Sequence, residues 1–93
     1  MLKLNRFGVW QKRNIMVTNK YVVNLAGYKR RRAIAIGKIK ALTKTLEPNG
    51  LCCIHIEDEY DYVFDCKRRP KLFLAIKEQW FNMKNRNLRI YGV

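Results

Sequence analysis

The sequence contains no serine and only one histidine, and it has no glycine-rich loop of the kind that cradles a nucleotide phosphate. Nucleophilic catalysis needs a nucleophile beside a base that a third group orients. Only Cys53 and His55 suggest such a pair, and no third member follows from the pattern. The carboxylates that acid–base chemistry would use are few and crowd into one short segment. The composition therefore predicts a protein that is not an enzyme and needs no cofactor.

Long apolar runs are also missing. No segment approaches the roughly 20 apolar residues that span a bilayer, and the N-terminus has no apolar segment long enough for a signal peptide. The three cysteines are an odd number and form no Cys-X-X-Cys pair, so they do not suggest a disulfide framework. These absences predict a reduced, cytoplasmic protein without a transmembrane segment.

Acidic residues are scarce, because 20 Lys and Arg stand against seven Asp and Glu and the net charge is +13. Five of the seven acidic residues lie between Glu57 and Asp65, so negative charge should be confined to one side of a mostly positive molecule. A field of this sign attracts nucleic acid, acidic lipid headgroups or acidic protein surfaces. With 93 residues, 48% of them apolar, the chain is predicted to fold as a single domain over residues 1–93.

Turn residues recur at short intervals through the first two thirds of the chain, which is typical of antiparallel strands. The predicted strands are 2–6, 9–18, 21–26, 32–36, 38–45, 51–57 and 60–66. Beyond them, Phe73, Ile76, Trp80 and Met83 recur at helical spacing. This stripe predicts a helix over about 70–84 that covers the sheet, and an extended tail follows at 88–93. The expected fold class is mainly β with one C-terminal helix.

The hairpin over residues 51–66 can be registered by its pattern. If Cys52 pairs with Cys66 and Ile54 with Phe64, one face of the hairpin collects apolar side chains and the other collects the polar ones. A slip of one residue would mix carboxylates with isoleucines. The sorted register is therefore predicted.

On the outer face of this hairpin, Cys53 and His55 lie two residues apart. Two ligands do not make a tetrahedral zinc site, and Cys66 is predicted to face inward. His55 has Asp61 and Asp65 as expected cross-strand neighbours. A surface ion pair is therefore the predicted role of His55, and no metal site is predicted.

The segment KLNRFGVWQKRNIMVTNKYVVNL, residues 3–25, resembles the start of the tail homology 1 domain of class I myosins. In that family a glycine-containing turn leads to an aromatic residue, Gln-Lys-Arg, an apolar strand ending in Thr, and a strand with Tyr and Asn-Leu. The corresponding residues here are Asn5, Arg6, Gly8, Trp10, Gln11, Lys12, Arg13, Thr18, Tyr21, Asn24 and Leu25. The resemblance continues through AIAIGKIKALT, CIHI and DYVFDC and covers roughly residues 2–80.

The resemblance implies a pleckstrin-homology-like barrel, in which two bent antiparallel sheets of about seven strands are capped by the C-terminal helix. It also implies a tail role, which is to bind acidic phospholipids and to link a cytoskeletal element to membrane. In such domains the headgroup lies at the open end, between the first hairpin turn and the turn of the third and fourth strands. The cations placed there are Lys3, Arg6, Lys12, Arg13, Lys29, Arg30, Arg31 and Arg32.

Two basic groups have both a functional and a structural interpretation. Lys29–Arg32 are four consecutive cations in what the pattern predicts to be a short turn, and they repel one another unless a polyanion neutralises them. The structural alternative is a solvated hairpin tip. For the second group, a solvated linker and a second contact surface both remain open. That group precedes the helix and consists of Lys67, Arg68, Arg69 and Lys71.

The sequence thus predicts a non-catalytic module for acidic surfaces, foremost anionic phosphoinositide membrane in a cytoskeletal context. The predicted location is the cytoplasm, at cytoskeleton or membrane. The alternative is a structural adaptor in a large axonemal, ciliary or microtubule-associated assembly, because tubulin surfaces are acidic. RNA or ribosome binding is less favoured, since the exposed strand aromatics of single-strand RNA readers are not at the expected positions.

Overall fold

The computed structural model describes residues 1–5, 7–46 and 50–93. Over these residues the chain forms nine strands and one α-helix, and a single 3-10 turn, Ile36–Lys38, connects β5 to β6. The elements are β1 (Leu2–Leu4), β2 (Trp10–Lys12), β3 (Asn14–Val17), β4 (Tyr21–Ala26), β5 (Lys29–Ala35), β6 (Ile39–Lys44), β7 (Leu51–Ile56), β8 (Tyr62–Asp65), α1 (Arg69–Lys84) and β9 (Arg89–Gly92).

The strands form two sheets. One has six strands in the order β2-β1-β8-β7-β6-β9, and the other has three in the order β3-β4-β5. All neighbours are antiparallel except β6 and β9. Among the described residues the two sheets are separate in their strand pairing, so the architecture is an open pleckstrin-homology-like sandwich rather than a closed barrel. The predicted fold class, mainly β with one C-terminal helix, is confirmed.

The chain passes from one sheet to the other at Arg13. The sequence predicts one strand over 9–18, whereas β2 pairs with β1 and β3 pairs with β4. The alternation of exposed and half-buried side chains runs unbroken across this corner, which is why the pattern does not reveal it. The Met1 ammonium donates to the Arg13 carbonyl at 3.0 Å, and the Arg13 N–H donates to the Met1 carbonyl at 3.0 Å. Arg13 therefore lies at the seam between the sheets.

Apolar side chains from both sheets meet in one core. Ile34 from the small sheet is 1% exposed, and Leu42, Ile54 and Phe64 from the large sheet are fully buried. Burial of a side chain of this size contributes about 1.5–3 kcal/mol to folding. The core holds the two sheets face to face and so fixes the seam along which the candidate site lies.

Helix α1 covers this core with the stripe that its spacing predicts. Phe73, Ile76 and Trp80 are 5%, 0% and 5% exposed, which confirms the prediction that Trp80 is buried with the other two. The Trp80 indole N–H donates to the Ile39 carbonyl at 2.9 Å, so its polar atom is satisfied inside. Met83 differs, because it is 47% exposed at the end of the stripe.

The β7–β8 hairpin pairs two residues away from the predicted register. Ile54 lies opposite Tyr62 rather than opposite Phe64. A shift of two leaves each side chain on its predicted face, so the buried apolar face and the polar outer face are as expected. The turn is longer than predicted because the Asp61 carboxylate, and not a ladder carbonyl, accepts the Ile56 N–H at 3.2 Å.

The basic run Lys29–Arg32 lies on β5 and not in a turn, which corrects the prediction. The turn consists of Gly27 and Tyr28, and Gly27 has a φ of +61°, where a side chain would be strained. Pairing of β4 with β5 shifts next to Asn24, and Arg31 is the extra residue of this bulge. Bulges re-aim side chains, and this one allows two consecutive arginines to approach the seam.

Candidate anion-binding site

Three cations converge near the ring of Tyr62, and a fourth lies close enough for its charge to act on one of them. Lys3 lies on β1, Arg13 at the corner, and Arg31 and Arg32 on β5. The Lys3 Nζ is 5.6 Å from the centroid of the Tyr62 ring, and the Arg32 Cζ is 5.9 Å from it. Both lie within the range of cation–π attraction. We call Lys3, Arg13, Arg31 and Arg32 the cation cluster.

The charges of the cation cluster act on one another at short range. Burial lowers the pKa of Lys3 below its ordinary value, and the positive charges of Arg13, Arg32 and Arg31 lower it further. Burial raises the pKa of Tyr62, and the charges of Arg13 and Arg32 oppose this rise. A bound anion would remove the mutual repulsion and so favour the charged form of Lys3.

Several polar atoms at the seam are buried and have no hydrogen-bond partner among the described residues. They are the Tyr62 hydroxyl, the Arg13 Nε, and both amide atoms of Asn24. Asn24 is 2% exposed and pairs directly with Arg32 in the β4–β5 ladder. Buried polar groups are almost always satisfied, and an unsatisfied one costs about 1–3 kcal/mol. Their position beside the cation cluster marks a site suited to a polar anionic ligand.

The acidic turn before β8 positions one member of the cluster. The Arg32 Nη2 donates to the Tyr60 carbonyl at 2.8 Å and lies 3.8 Å from the Glu59 carboxylate. Glu59 also lies 3.9 Å from Lys38, so its charge is shared. Within residues 1–5, 7–46 and 50–93, no salt bridge neutralises Lys3, Arg13 or Arg31.

The remaining predicted site cations lie around the cluster or away from it. Lys29 and Arg30 are exposed at the start of β5. Lys12 is exposed and precedes Arg13 on an alternating strand, so its side chain faces away from the seam. Arg6 lies outside the described residues. The structure thus brings together half of the eight predicted cations.

Sequence reasoning missed the two buried polar residues of the site. Asn24 stands within the strand YVVNLA, in which every other residue is apolar or aromatic. An amide at an inward position needs a partner, and this signal could have drawn attention to it. Tyr62 falls on the inward face of the predicted hairpin, so its hydroxyl is also a buried polar group that needs explanation.

The second basic group does not join the cation cluster. Arg69 donates to the Thr45 hydroxyl at 3.2 Å and to the Leu51 carbonyl at 2.9 Å, so it holds α1 against the β6–β7 connection. Its role is therefore structural in part. Lys67, Arg68 and Lys71 are exposed beyond the end of β8.

Exposed apolar side chains occur at the β1–β2 and β4–β5 turns, among other places. Phe7, Val9 and Trp10, at the β1–β2 turn, are 77%, 55% and 44% exposed. Tyr28, at the β4–β5 turn, is fully exposed and directly precedes the basic run of β5. Aromatic side chains next to cations are typical of surfaces that lie in the headgroup layer of a membrane.

On the outer face of the hairpin, His55 contacts Asp61, one of its two predicted cross-strand neighbours. Its Nδ1 lies 2.8 Å from the Asp61 Oδ2. Burial opposes ionisation of Asp61, but hydrogen bonds from His55 and the Ile56 N–H, with the charges of His55 and Lys40, lower the pKa of that carboxyl below its ordinary value. Asp61 is thus ionised at neutral pH.

A family model described as unconventional myosin tail, actin- and lipid-binding, matches residues 1–91. The chain belongs to this family. A search of curated proteins gives no match. The match confirms the resemblance to the tail homology 1 domain, and it covers the β1–β2 turn, both sheets and α1.

Membership in the myosin tail family supports some of the predicted partners and not others. The family description is one of binding and not of catalysis, and it places such domains with the cytoskeleton or the membrane. Actin and lipid are its named ligands, whereas tubulin, cilia and nucleic acid are not part of it. No helix among the described residues has the length and apolar character needed to cross a bilayer.

Proposed function

We propose that this domain is a non-catalytic module that docks on anionic membrane at its cytoplasmic face, with phosphoinositide headgroups as the preferred ligands of the cation cluster. The observation that carries the proposal is the convergence of Lys3, Arg13 and Arg32 on Tyr62, whose buried hydroxyl has no partner among the described residues. The charge of Arg31 acts on Lys3 beside them. The family's lipid-binding description supports it.

The donors at the seam match the chemistry of a phosphorylated headgroup. Phosphate oxygens accept guanidinium N–H groups in pairs, and the Lys3 ammonium adds a point charge. A small movement of the covering side chains would allow the Tyr62 hydroxyl to donate to the same phosphate, since two of the cations lie within 6 Å of the centroid of its ring. The ligand would then satisfy a donor that is otherwise buried at a cost.

The exposed turns supply a second, apolar contribution to docking. Trp10 begins β2 beside the β1–β2 turn, and Tyr28 lies in the β4–β5 turn. The strands next to these turns, β1, β2 and β5, carry the cation cluster or lead to it. Amphipathic rings are stable at the level of the headgroups, where one edge is apolar and the other is wet. Membrane docking by this surface therefore combines charge with shallow insertion.

The test is cosedimentation of the purified domain with vesicles of neutral lipid, with and without phosphoinositide. The variant carries Lys3→Glu and Arg31→Glu, and a matched control carries Lys44→Glu and Lys77→Glu, two exposed cations on β6 and α1. Each cation near an anionic surface contributes about 1 kcal/mol, so the cluster variant should bind well over tenfold more weakly than wild type. The control changes net charge equally but should lose much less.

Two outcomes would contradict the proposal. If the cluster variant and the control weaken equally, binding follows the overall field and not a site at the seam. If wild-type protein does not bind phosphoinositide vesicles even at low salt, where surface electrostatics are strongest, the membrane function itself is wrong.

A further inference from the structure

Three potential metal ligands meet on the outer face of the β7–β8 hairpin. Cys53 and His55 alternate along β7, and Asp61 lies in the turn directly before β8. The Cys53 Sγ is 3.8 Å from the His55 Nδ1, which is 2.8 Å from the Asp61 Oδ2. The three ligand atoms all lie within 4.8 Å of one another. A thiol, an imidazole and a carboxylate thus point at a common centre.

Neighbouring groups hold these ligands in place. The Thr43 Oγ1 on β6 lies 2.6 Å from the His55 Nε2, and Thr43 is the cross-strand partner of Cys53. On metal binding the Nδ1 proton that Asp61 accepts in the free protein would be released, and with the Nε2–H donated to the Thr43 hydroxyl the Nδ1 lone pair would face the ion. The second carboxylate oxygen of Asp61 accepts the Ile56 N–H. Partners of this kind orient the first ligands of metal sites and raise their affinity.

A tetrahedral ion would bring the three ligand atoms closer to equal separations than they have in the free protein. For Zn²⁺ with bonds of about 2.3 Å to sulfur and about 2.0–2.1 Å to nitrogen and oxygen, tetrahedral angles place the ligand atoms about 3.3–3.6 Å apart. The sulfur–nitrogen distance of 3.8 Å would shorten by a few tenths of an ångström, and the nitrogen–oxygen distance of 2.8 Å would lengthen by about half an ångström. The sulfur–oxygen distance lies within 4.8 Å and would shorten by up to about 1.2 Å. Rotation of exposed side chains can supply such shifts.

We propose that Cys53, His55 and Asp61 bind one zinc ion, with the fourth position left to water or to a side chain of a partner. The mixed sulfur, nitrogen and oxygen ligand set favours zinc over magnesium or calcium, which prefer oxygen ligands alone. The site is reachable, since the His55 and Asp61 side chains are 31% and 45% exposed. Cys52 and Cys66 are buried on the other face, so they are not further ligands.

Occupancy of the site would stabilise the turn that positions Arg32. Asp61 is the last residue of the turn whose Tyr60 carbonyl and Glu59 carboxylate hold that arginine. A metal–carboxylate bond at Asp61 therefore fixes the acidic turn from the outer face while Arg32 binds it from the inner face. The metal site and the cation cluster are in this way linked through the three consecutive residues 59–61.

The test uses the full chain, reduced and freed of metal by a chelator, and titrated with Co²⁺ as a spectroscopic probe. A thiolate bound to Co²⁺ gives a sulfur-to-metal charge-transfer band, and tetrahedral Co²⁺ gives strong visible bands. We expect one Co²⁺ per chain, with both features, and displacement by Zn²⁺. Zn²⁺ should also raise the thermal unfolding temperature of the wild-type chain.

Variants separate this site from incidental binding. Cys53→Ser should abolish the charge-transfer band, and His55→Gln should weaken Zn²⁺ binding by at least tenfold. Thr43→Val should weaken it about tenfold, because loss of an outer partner typically costs 10–100-fold. Cys66→Ala and Asp58→Asn are the controls, since one removes a thiol of the inner face and the other a nearby exposed carboxylate; both should bind as wild type. A spectrum without thiolate bands, or one that Cys53→Ser leaves unchanged, would overturn the proposal.

Discussion

Replacement of Tyr62 by Phe should change stability and lipid binding in opposite directions. The ring is 1% exposed and packs against Phe64 with centroids 5.4 Å apart, and a phenylalanine ring would keep this contact. The substitution removes only the hydroxyl oxygen, which is buried without a partner among the described residues. Because an unsatisfied buried group costs about 1–3 kcal/mol, the free energy of unfolding should rise by about 1 kcal/mol.

Lipid binding should weaken in the same variant. If the hydroxyl donates to a headgroup phosphate, its loss removes a hydrogen bond to a charged group, worth about 1.5–3 kcal/mol. Affinity for phosphoinositide vesicles should then fall by about tenfold or more, since 1.4 kcal/mol corresponds to a factor of ten.

Urea unfolding and vesicle cosedimentation measure the two effects on the same samples. Tyr60→Phe is the matched control, because Tyr60 is 87% exposed in the adjacent turn and its hydroxyl is not buried at the seam. It should leave both quantities near wild type. A Tyr62→Phe variant that is less stable by 1 kcal/mol or more would show that the hydroxyl has a partner in the free protein. Unchanged lipid affinity would remove Tyr62 from the headgroup site.

Two further predictions concern the core. Trp80→Ala should lower the free energy of unfolding by about 3–5 kcal/mol, because Trp80 is only 5% exposed and its removal leaves a cavity. Phe81→Ala is the control and should cost much less, since Phe81 is 46% exposed. Equal losses in urea unfolding would contradict the packing of α1. Burial raises the pKa of Cys52 to about 12 from 9.0. Above about pH 9 the native state therefore keeps a thiol proton that the unfolded chain releases. The free energy of unfolding should fall as pH rises from about 9 towards 12. Thermal unfolding of wild type and Cys52→Ala across this range checks the sign, and an identical slope for both proteins would refute it.

Local periodicity was enough to predict the faces of the elements. The alternation of Cys52, Ile54 and Ile56 with polar residues predicts which side of β7 is buried, and the spacing of Phe73, Ile76 and Trp80 does the same for α1. These patterns depend only on the repeat of the strand or helix. The predicted buried faces are therefore correct even where the predicted register or element boundaries are wrong.

Features that depend on a single side chain were not predictable in this way. The β7–β8 register is set by the bond from the Ile56 N–H to the Asp61 carboxylate, and a shift of two leaves the pattern of faces unchanged. The basic run was placed in a turn because its charge obscures its strand character, although Gly27 marks the turn. The convergence of Lys3 with Arg31 depends on how the two sheets face each other, which no local pattern records.

The position of the cation cluster across the seam has a mechanical consequence. Lys3 belongs to the large sheet and Arg31 and Arg32 to the small one, while Arg13 lies where the chain passes between them. An anion that contacts all of them would connect the two sheets, which share no strand-pairing hydrogen bonds over the described residues. A headgroup bound as proposed would therefore contact both sheets at once, and the attachment itself would resist their separation.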